Sequence, residues 1–390
     1  MSLFLSAQIY QDLNMTSDII HGYAASGFEP VREIFTRHFE SGQEIGAGFC
    51  IYKDGAPLID LWGGHQDRQK TKPWTQDTLI GVFSCTKYVT ALVAALCVER
   101  GAFRYDDQVA SHWPDFAQEG KGEVTIAQLL SHQAGLSGIT DPDWMAGDWF
   151  DIEKLEATLA AQTPIFTPGS TSGYHPVTFG PLANAVIRRA SGRTIGQILR
   201  EDIAGPLGID FYLGLPEAEH ERCADLRKPS AMADFGQPNA ATKAAFFNKH
   251  GSPGGRGITL WRETEFGGSN GHGTAKSLAR LAQMVLGGQI EGTQFLSPDV
   301  LAALTQSRFT GPNLVLPFDL TIAAGLMKNT PNHFYGPSDD CFGHSGWGGS
   351  CVWADRETGL TGAYVMNKMS NHLLGDPRPR ALIEAVYAAL

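Results

Sequence analysis

Six cysteines are spread over the 390 residues, and none forms a CxxC pair or a zinc-type spacing. A chain of this length needs no disulfide framework. Cys50, Cys85, Cys97, Cys223, Cys341 and Cys351 are therefore expected as reduced, mostly buried thiols of a cytoplasmic protein. Basic runs are missing too. The 30 Lys and Arg residues are scattered among 41 Asp and Glu, for a net charge of -11, which excludes nucleic acid and anionic membranes as expected partners. The apolar start, Met1 to Tyr10, has no basic flank and is too short to span a bilayer, so no secretory signal is read there. Met15 is an alternative start, with the first fourteen residues an extension. No His/Cys cluster offers a ligand set, so neither a metal nor an organic cofactor is expected. There is no internal repeat and no low-complexity tract.

What is present is a chain 43% hydrophobic and 18% charged, enough for a large core and more than one lobe. Residues 29–41 read as a helix with Pro30 near its first position and Val31, Ile34, Phe35 and Phe39 on one face. Gly46–Tyr52 and Pro57–Trp62 flank an Asp54-Gly55 turn and predict a β-hairpin. A short strand, Leu79–Phe83, follows. Helical signals then dominate: residues 84–100, a short helix capped by Thr125, and residues 151–161, 177–191, 194–204 and 274–287. Long Gly- and Pro-rich connections such as 227–273 frame a site or wrap a surface. Strands return at Leu320–Leu326, Gly349–Ala354 and Leu360–Met366, and Pro379–Leu390 closes the chain as a helix. The expected fold is α/β of the α+β type. An antiparallel sheet is built from N- and C-terminal segments (15–83 and 290–390), with a mainly helical lobe (84–289) inserted and the site between them.

Chemistry is concentrated in Ser84-Cys85-Thr86-Lys87, after a strand and at a helix start. Positions i and i+3 share a helix face, so Ser84 and Lys87 can touch. A serine hydroxyl needs a base to become a nucleophile, and a lysine serves only if its pKa falls well below ~10.4. Backbone N–H groups at the helix start can receive an oxyanion. Alone, the pattern is also that of a capping serine and a solvated lysine.

Further segments give it company: Leu129-Leu-Ser-His-Gln-Ala-Gly-Leu136, Pro168-Gly169 followed by Gly173-Tyr174, Pro206-Leu-Gly208 and Gly343-His-Ser-Gly-Trp-Gly-Gly349. In order and spacing the chain resembles, from about residue 29 to 386, the serine β-lactamase-like superfamily of class C β-lactamases and penicillin-binding proteins. Within it the chain is most similar to the family VIII carboxylesterases. The resemblance implies that fold. It implies Ser84 as nucleophile, Lys87 as base and Tyr174 as proton relay, its phenol acidified by the nearby ammonium. The third motif, usually Lys-Thr-Gly, falls on His344-Ser345-Gly346. The resemblance places this strand along the cleft and gives the oxyanion the N–H groups of Ser84 and Trp347.

Two departures matter. The Asn of Tyr-x-Asn, which binds a substrate amide, is replaced by Pro176, and the Lys of the third motif by His344. Both remove recognition of an amide bearing a carboxylate and leave acyl transfer intact. The expected activity is that of a carboxylesterase on small acyl esters. A β-lactamase, a D-amino-acid peptidase or amidase, an acyltransferase with the same residues, and a non-catalytic binding protein of the same fold are the alternatives. A rival nucleophile exists in Gly267-Gly-Ser-Asn-Gly271, with Asp339 or Asp340 and His344 completing a triad order. Its preceding stretch, Thr259–Phe266, is charged and not strand-like, so Ser269 is not expected to be the nucleophile.

Overall fold

The computed structural model describes residues 19–253 and 259–390. The extension read before Met15 lies outside them.

A nine-stranded antiparallel sheet forms the spine of the molecule, in the order β1-β3-β2-β14-β13-β12-β11-β10-β9. Its N-terminal strands are β1 (Ile20–Ala24), β2 (Gly46–Lys53) and β3 (Ala56–Gly64). After a separate two-stranded hairpin, β7 (Gln289–Ile290) and β8 (Thr293–Gln294), come its C-terminal strands β9 (Phe309–Pro312), β10 (Asp319–Ile322), β11 (Met327–Lys328), β12 (Cys341–Ser345), β13 (Cys351–Asp355) and β14 (Leu360–Met366). The two groups meet where β14 pairs β2, Tyr364 opposite Phe49. Asp54 and Gly55 turn the β2–β3 hairpin with φ of 50° and 79°, the left-handed values a two-residue primed turn requires.

Alternation decides what each face packs against. Phe49, Ile51, Trp353 and Tyr364 point to one side, where they pack with Val31 and Phe35 of α1 (Glu29–Glu40) and Leu382 and Val386 of the C-terminal helix (Pro377–Ala388). Cys50, Val352, Ala363 and Val365 point to the other, into the larger core. There they meet Ala275 and Leu278 of the helix Ala275–Gly287, which lies against the sheet. Both faces being covered, the central strands are buried almost throughout and mostly apolar.

The helical lobe is organised around α2 (Cys85–Glu99), whose residues 85–97 are all buried. An apolar helix of this kind sits inside a core. On it packs α5 (Phe179–Ser191), against which α3 (Ile126–Leu130) and α4 (Ile152–Ala161) pack in turn. Thr125 caps α3 as expected, accepting from Gln128 N–H while Gln128 returns a bond to Thr125 N–H.

The differences from the sequence reading have local causes. Leu79–Phe83 contributes only β4 (Ile80–Gly81), which pairs β6 (His272–Gly273) in a separate three-stranded sheet with β5 (Phe211–Tyr212). Leu320–Leu326 is not one strand but β10 and β11 joined by a turn closed by Ala323 N–H to Leu326 O. The C-terminal helix starts at Pro377, two residues early, because Asp376 caps it through Arg378 N–H. The connection 227–273 holds short helical turns as well as β6. No described helix is long and apolar enough to cross a membrane. All six cysteines are unpaired, and all but Cys223 are buried.

Candidate active site

Phe83, the residue before Ser84, has φ of 47°. A bulky residue in that region is strained, at a cost of about 1–3 kcal/mol that the surroundings must hold. Phe83 packs edge-on against Trp347, with ring centroids 6.0 Å apart. The turn sets Ser84 at the head of α2, where its side chain makes no capping bond. The hydroxyl is thus left for chemistry.

One helical turn on, Lys87 is fully buried. Its Nζ lies 3.2 Å from Ser84 Oγ and donates to the carbonyls of Pro176 and Gly268, each at 2.8 Å. Burial lowers its pKa well below the ordinary lysine value. Three acceptors, the Ser84 hydroxyl and the two carbonyls, thus surround the lysine nitrogen.

Close approach of glycines delivers one of those carbonyls. A Cβ on Gly180 would fall 2.5 Å from Gly268 N, and one on Gly268 would fall 3.3 Å from Lys87 Nζ. The Gly267–Gly271 run is therefore a wall of the lysine site. Its Ser269 reaches the cavity, but the rival triad does not assemble. Asp339 faces His333 and Asp340 faces Arg356, while His344 Nδ1 sits 2.9 Å from Ser345 O.

Tyr174 is hydrogen-bonded to the Ser84 side chain, and Lys87 Nζ sits 4.8 Å from its ring centre. Here the expectation of an acidified phenol is overturned. Burial raises the Tyr174 pKa, and this outweighs its bond to Ser84. Burial thus disfavours the charged forms of both Lys87 and Tyr174.

Sequence reasoning missed the histidines beneath the tyrosine. His132 packs on Tyr174 at 4.6 Å and accepts from His175 N–H at 3.1 Å; His175 Nε2 in turn accepts from Leu136 N–H at 3.1 Å. Burial depresses His175 and His344 to about 3. They serve as uncharged packing that fixes the tyrosine loop. The His132 of Leu-Ser-His-Gln was the available signal.

The third segment arrives on β12. Cys85 Sγ donates to His344 O, and Ser350 Oγ donates to Val82 O at 3.0 Å, tying the strand to the head of α2. A Cβ on Gly346 would lie 2.3 Å from Val82 O, so only glycine permits this contact. Ser345 and Trp347 line one cavity together with Ser84, Tyr174, Pro176 and Ser269. His344 and Gly346 stand behind that wall. The cavity measures about 430 Å³ and is otherwise mostly apolar, with Val177, Phe235, Phe246 and Leu316 among its lining. Among the described residues, no group of His, Cys, Asp or Glu is placed to hold a metal ion.

Comparison with known proteins identifies the family and the fold. The Beta-lactamase family model matches residues 31–387. The esterase/beta-lactamase LipL of Mycobacterium tuberculosis (strain ATCC 25618 / H37Rv) is 32% identical, over 91% of this chain and 84% of its own. A penicillin-binding protein homolog from Caulobacter crescentus superposes with a TM-score of 0.93 at 49% identity, covering 95% of this chain and all of the other. A family VIII carboxylesterase superposes with a TM-score of 0.87 at 38% identity, again over 95% of this chain and all of the other. The chain belongs to the beta-lactamase family, with the serine β-lactamase-like fold.

Proposed function

We propose that this chain is a serine hydrolase, and that it acts as a carboxylesterase on small, apolar, uncharged acyl esters. The observation that carries the reading is the fully buried Lys87 beside Ser84, with two carbonyls taking its N–H bonds. Lys87 takes the Ser84 proton as Oγ attacks the ester carbonyl. The N–H groups of Ser84 and Trp347 receive the oxyanion. Tyr174 passes a proton to the departing alkoxide and regains one from Lys87. Water then enters, and the same groups return Ser84 to its resting state.

The cavity favours esters over β-lactams. Pro176 lines it, and its one polar group, the carbonyl, is already taken by Lys87. His344 stays uncharged at neutral pH, so it offers no anchor for a carboxylate. Lys228, exposed at the rim, is the one charged side chain among the described lining residues. A cavity of about 430 Å³ is within the ~300–1,000 Å³ usual for small ligands. The name of the family VIII carboxylesterase points the same way, while that of LipL, an esterase/beta-lactamase, covers both activities. Six unpaired cysteines support a reducing, cytoplasmic location. The test is a series of nitrophenyl esters of increasing acyl length beside a chromogenic cephalosporin. Short esters are expected to have the higher kcat/KM, and a preference for the cephalosporin would overturn the esterase reading.

A further inference from the structure

Beneath the turn that carries Trp347 lies a buried arginine that the catalytic scheme does not use. The turn runs from Gly346 to Gly349 and is closed by Gly349 N–H donating to Gly346 O at 3.1 Å. Gly348 and Gly349 have φ of 97° and 126°. Arg378, in the first turn of the C-terminal helix, is only 5% exposed. Its Nη2 donates to Gly348 O at 2.8 Å and to Asp376 Oδ2 at 2.8 Å. Its Nη1 donates to Glu44 at 3.0 and 3.1 Å and to Lys368 O at 2.8 Å. Its Nε donates to Asp376 Oδ1 at 3.1 Å.

The Gly348 carbonyl is held a second time, by Ser370 N–H at 2.9 Å. A Cβ on Gly349 would fall 2.6 Å from Arg378 Nη2, so the turn rests directly on the guanidinium. Three segments far apart in sequence are thereby joined: Glu44 ahead of β2, residues 368–370 after β14, and the turn after β12. Only a planar fork with several fixed donors can bridge them; a lysine ammonium is a single point. Buried ion clusters are often no more stabilising than well-packed apolar groups, so stability alone is a weak reason for one here. Its bond to Gly348 supplies a different reason.

We propose that Arg378 is a positioning residue for the oxyanion site. By gripping the Gly348 carbonyl it fixes the Gly346–Gly349 turn, and with it the Trp347 N–H, relative to Ser84. The inference rests on the role given to Trp347 in the proposed reaction. It goes beyond that role by assigning its control to the C-terminal helix.

The test uses the full chain carrying Arg378→Lys or Arg378→Ala, with active sites counted by fluorophosphonate titration so that misfolded protein does not enter the rate. On 4-nitrophenyl butyrate, kcat per titrated site should fall about tenfold or more, with KM within about threefold. Affinity for a boronic acid, which forms a tetrahedral adduct on the serine, should fall in step with kcat. Guanidinium ion at non-denaturing concentration should restore part of the rate of Arg378→Ala and none of that of Arg378→Lys. A purely structural arginine would lower the melting temperature while leaving kcat per titrated site and boronate affinity at wild-type values; that result would overturn the proposal. If Arg378→Ala gives no titratable sites, Arg378→Lys decides alone. A wild type that labels at Ser84 but turns over no ester would sink the esterase reading, and boronate affinity would still decide the clamp.

Discussion

Replacing Lys87 by Met removes the proton-accepting nitrogen while keeping a long, buried, unbranched side chain. Loss of a general base costs about 10²–10⁴-fold in rate, or about 3–5 kcal/mol in barrier. The structure adds a stability term. The carbonyls of Pro176 and Gly268 lose the donor they now share, and each buried unpaired group costs about 1–3 kcal/mol. Relief from burying an amine offsets part of this, so a melting curve must accompany the kinetics. The sharper signature is in pH. Lys87 acts only when neutral, and burial holds its pKa well below the lysine norm. In wild type, kcat/KM should therefore rise with pH through that lowered pKa and level off above it. His175 and His344, held at about 3, contribute no limb near neutrality. The assay is kcat/KM on 4-nitrophenyl butyrate from mildly acidic to mildly basic pH. Lys87→Met should lose both the rate and the acid limb. A variant that keeps the same limb, or a rate within about tenfold of wild type, would refute the assignment of the base.

Tyr174→Phe, which removes only the hydroxyl, should lower kcat by about a hundredfold and leave the acid limb in place, since burial keeps the phenol protonated; near-normal turnover would make Tyr174 a packing residue. Pro176→Asn keeps the carbonyl that binds Lys87 and adds an amide. Its kcat/KM on a cephalosporin relative to an ester should rise about five- to hundredfold, the worth of pairing a buried amide at ~1–3 kcal/mol, and an unchanged ratio would detach selectivity from this position. Gly346→Ala forces a methyl against Val82 O and Ser350 Oγ, 2.3 and 2.2 Å away. It should cost about 1–3 kcal/mol of stability by overpacking, read as a lowered melting temperature and lowered ester turnover, whereas wild-type values of both would show that the strand can yield there.

Much of this fold was legible because its signals are local. Apolar runs marked β2, β3 and β14, the Asp54-Gly55 pair marked the turn between β2 and β3, and Thr125 marked a helix start. Other strands lack that signal. Cys341–Ser345 was read as a strand only through the resemblance, because a glycine and a histidine interrupt its apolar run. In Ile20–Ala24 the strand lies at the sheet edge and its middle is exposed. The site was legible in three side chains, Ser84, Lys87 and Tyr174, which the fold brings together. It was illegible where backbone does the work. The Gly268 and Pro176 carbonyls carry no sequence signature, and the Gly267–Gly271 run read as an accidental hydrolase motif because its use is close backbone approach. The neutrality of Tyr174 was beyond reach as well, since it depends on how deeply the phenol is buried.

The central claim is that Ser84 is the nucleophile, and trapping the acyl-enzyme tests it most directly. The protein is mixed with a 4-nitrophenyl ester, quenched in acid within a turnover, digested, and mapped by mass spectrometry for the acyl group. The account predicts the acyl mass on the peptide containing Ser84, its absence in Ser84→Ala, and its persistence on Ser84 in Ser269→Ala. An acyl group on the peptide containing Ser269, or ester turnover by folded Ser84→Ala at the wild-type rate, would contradict it.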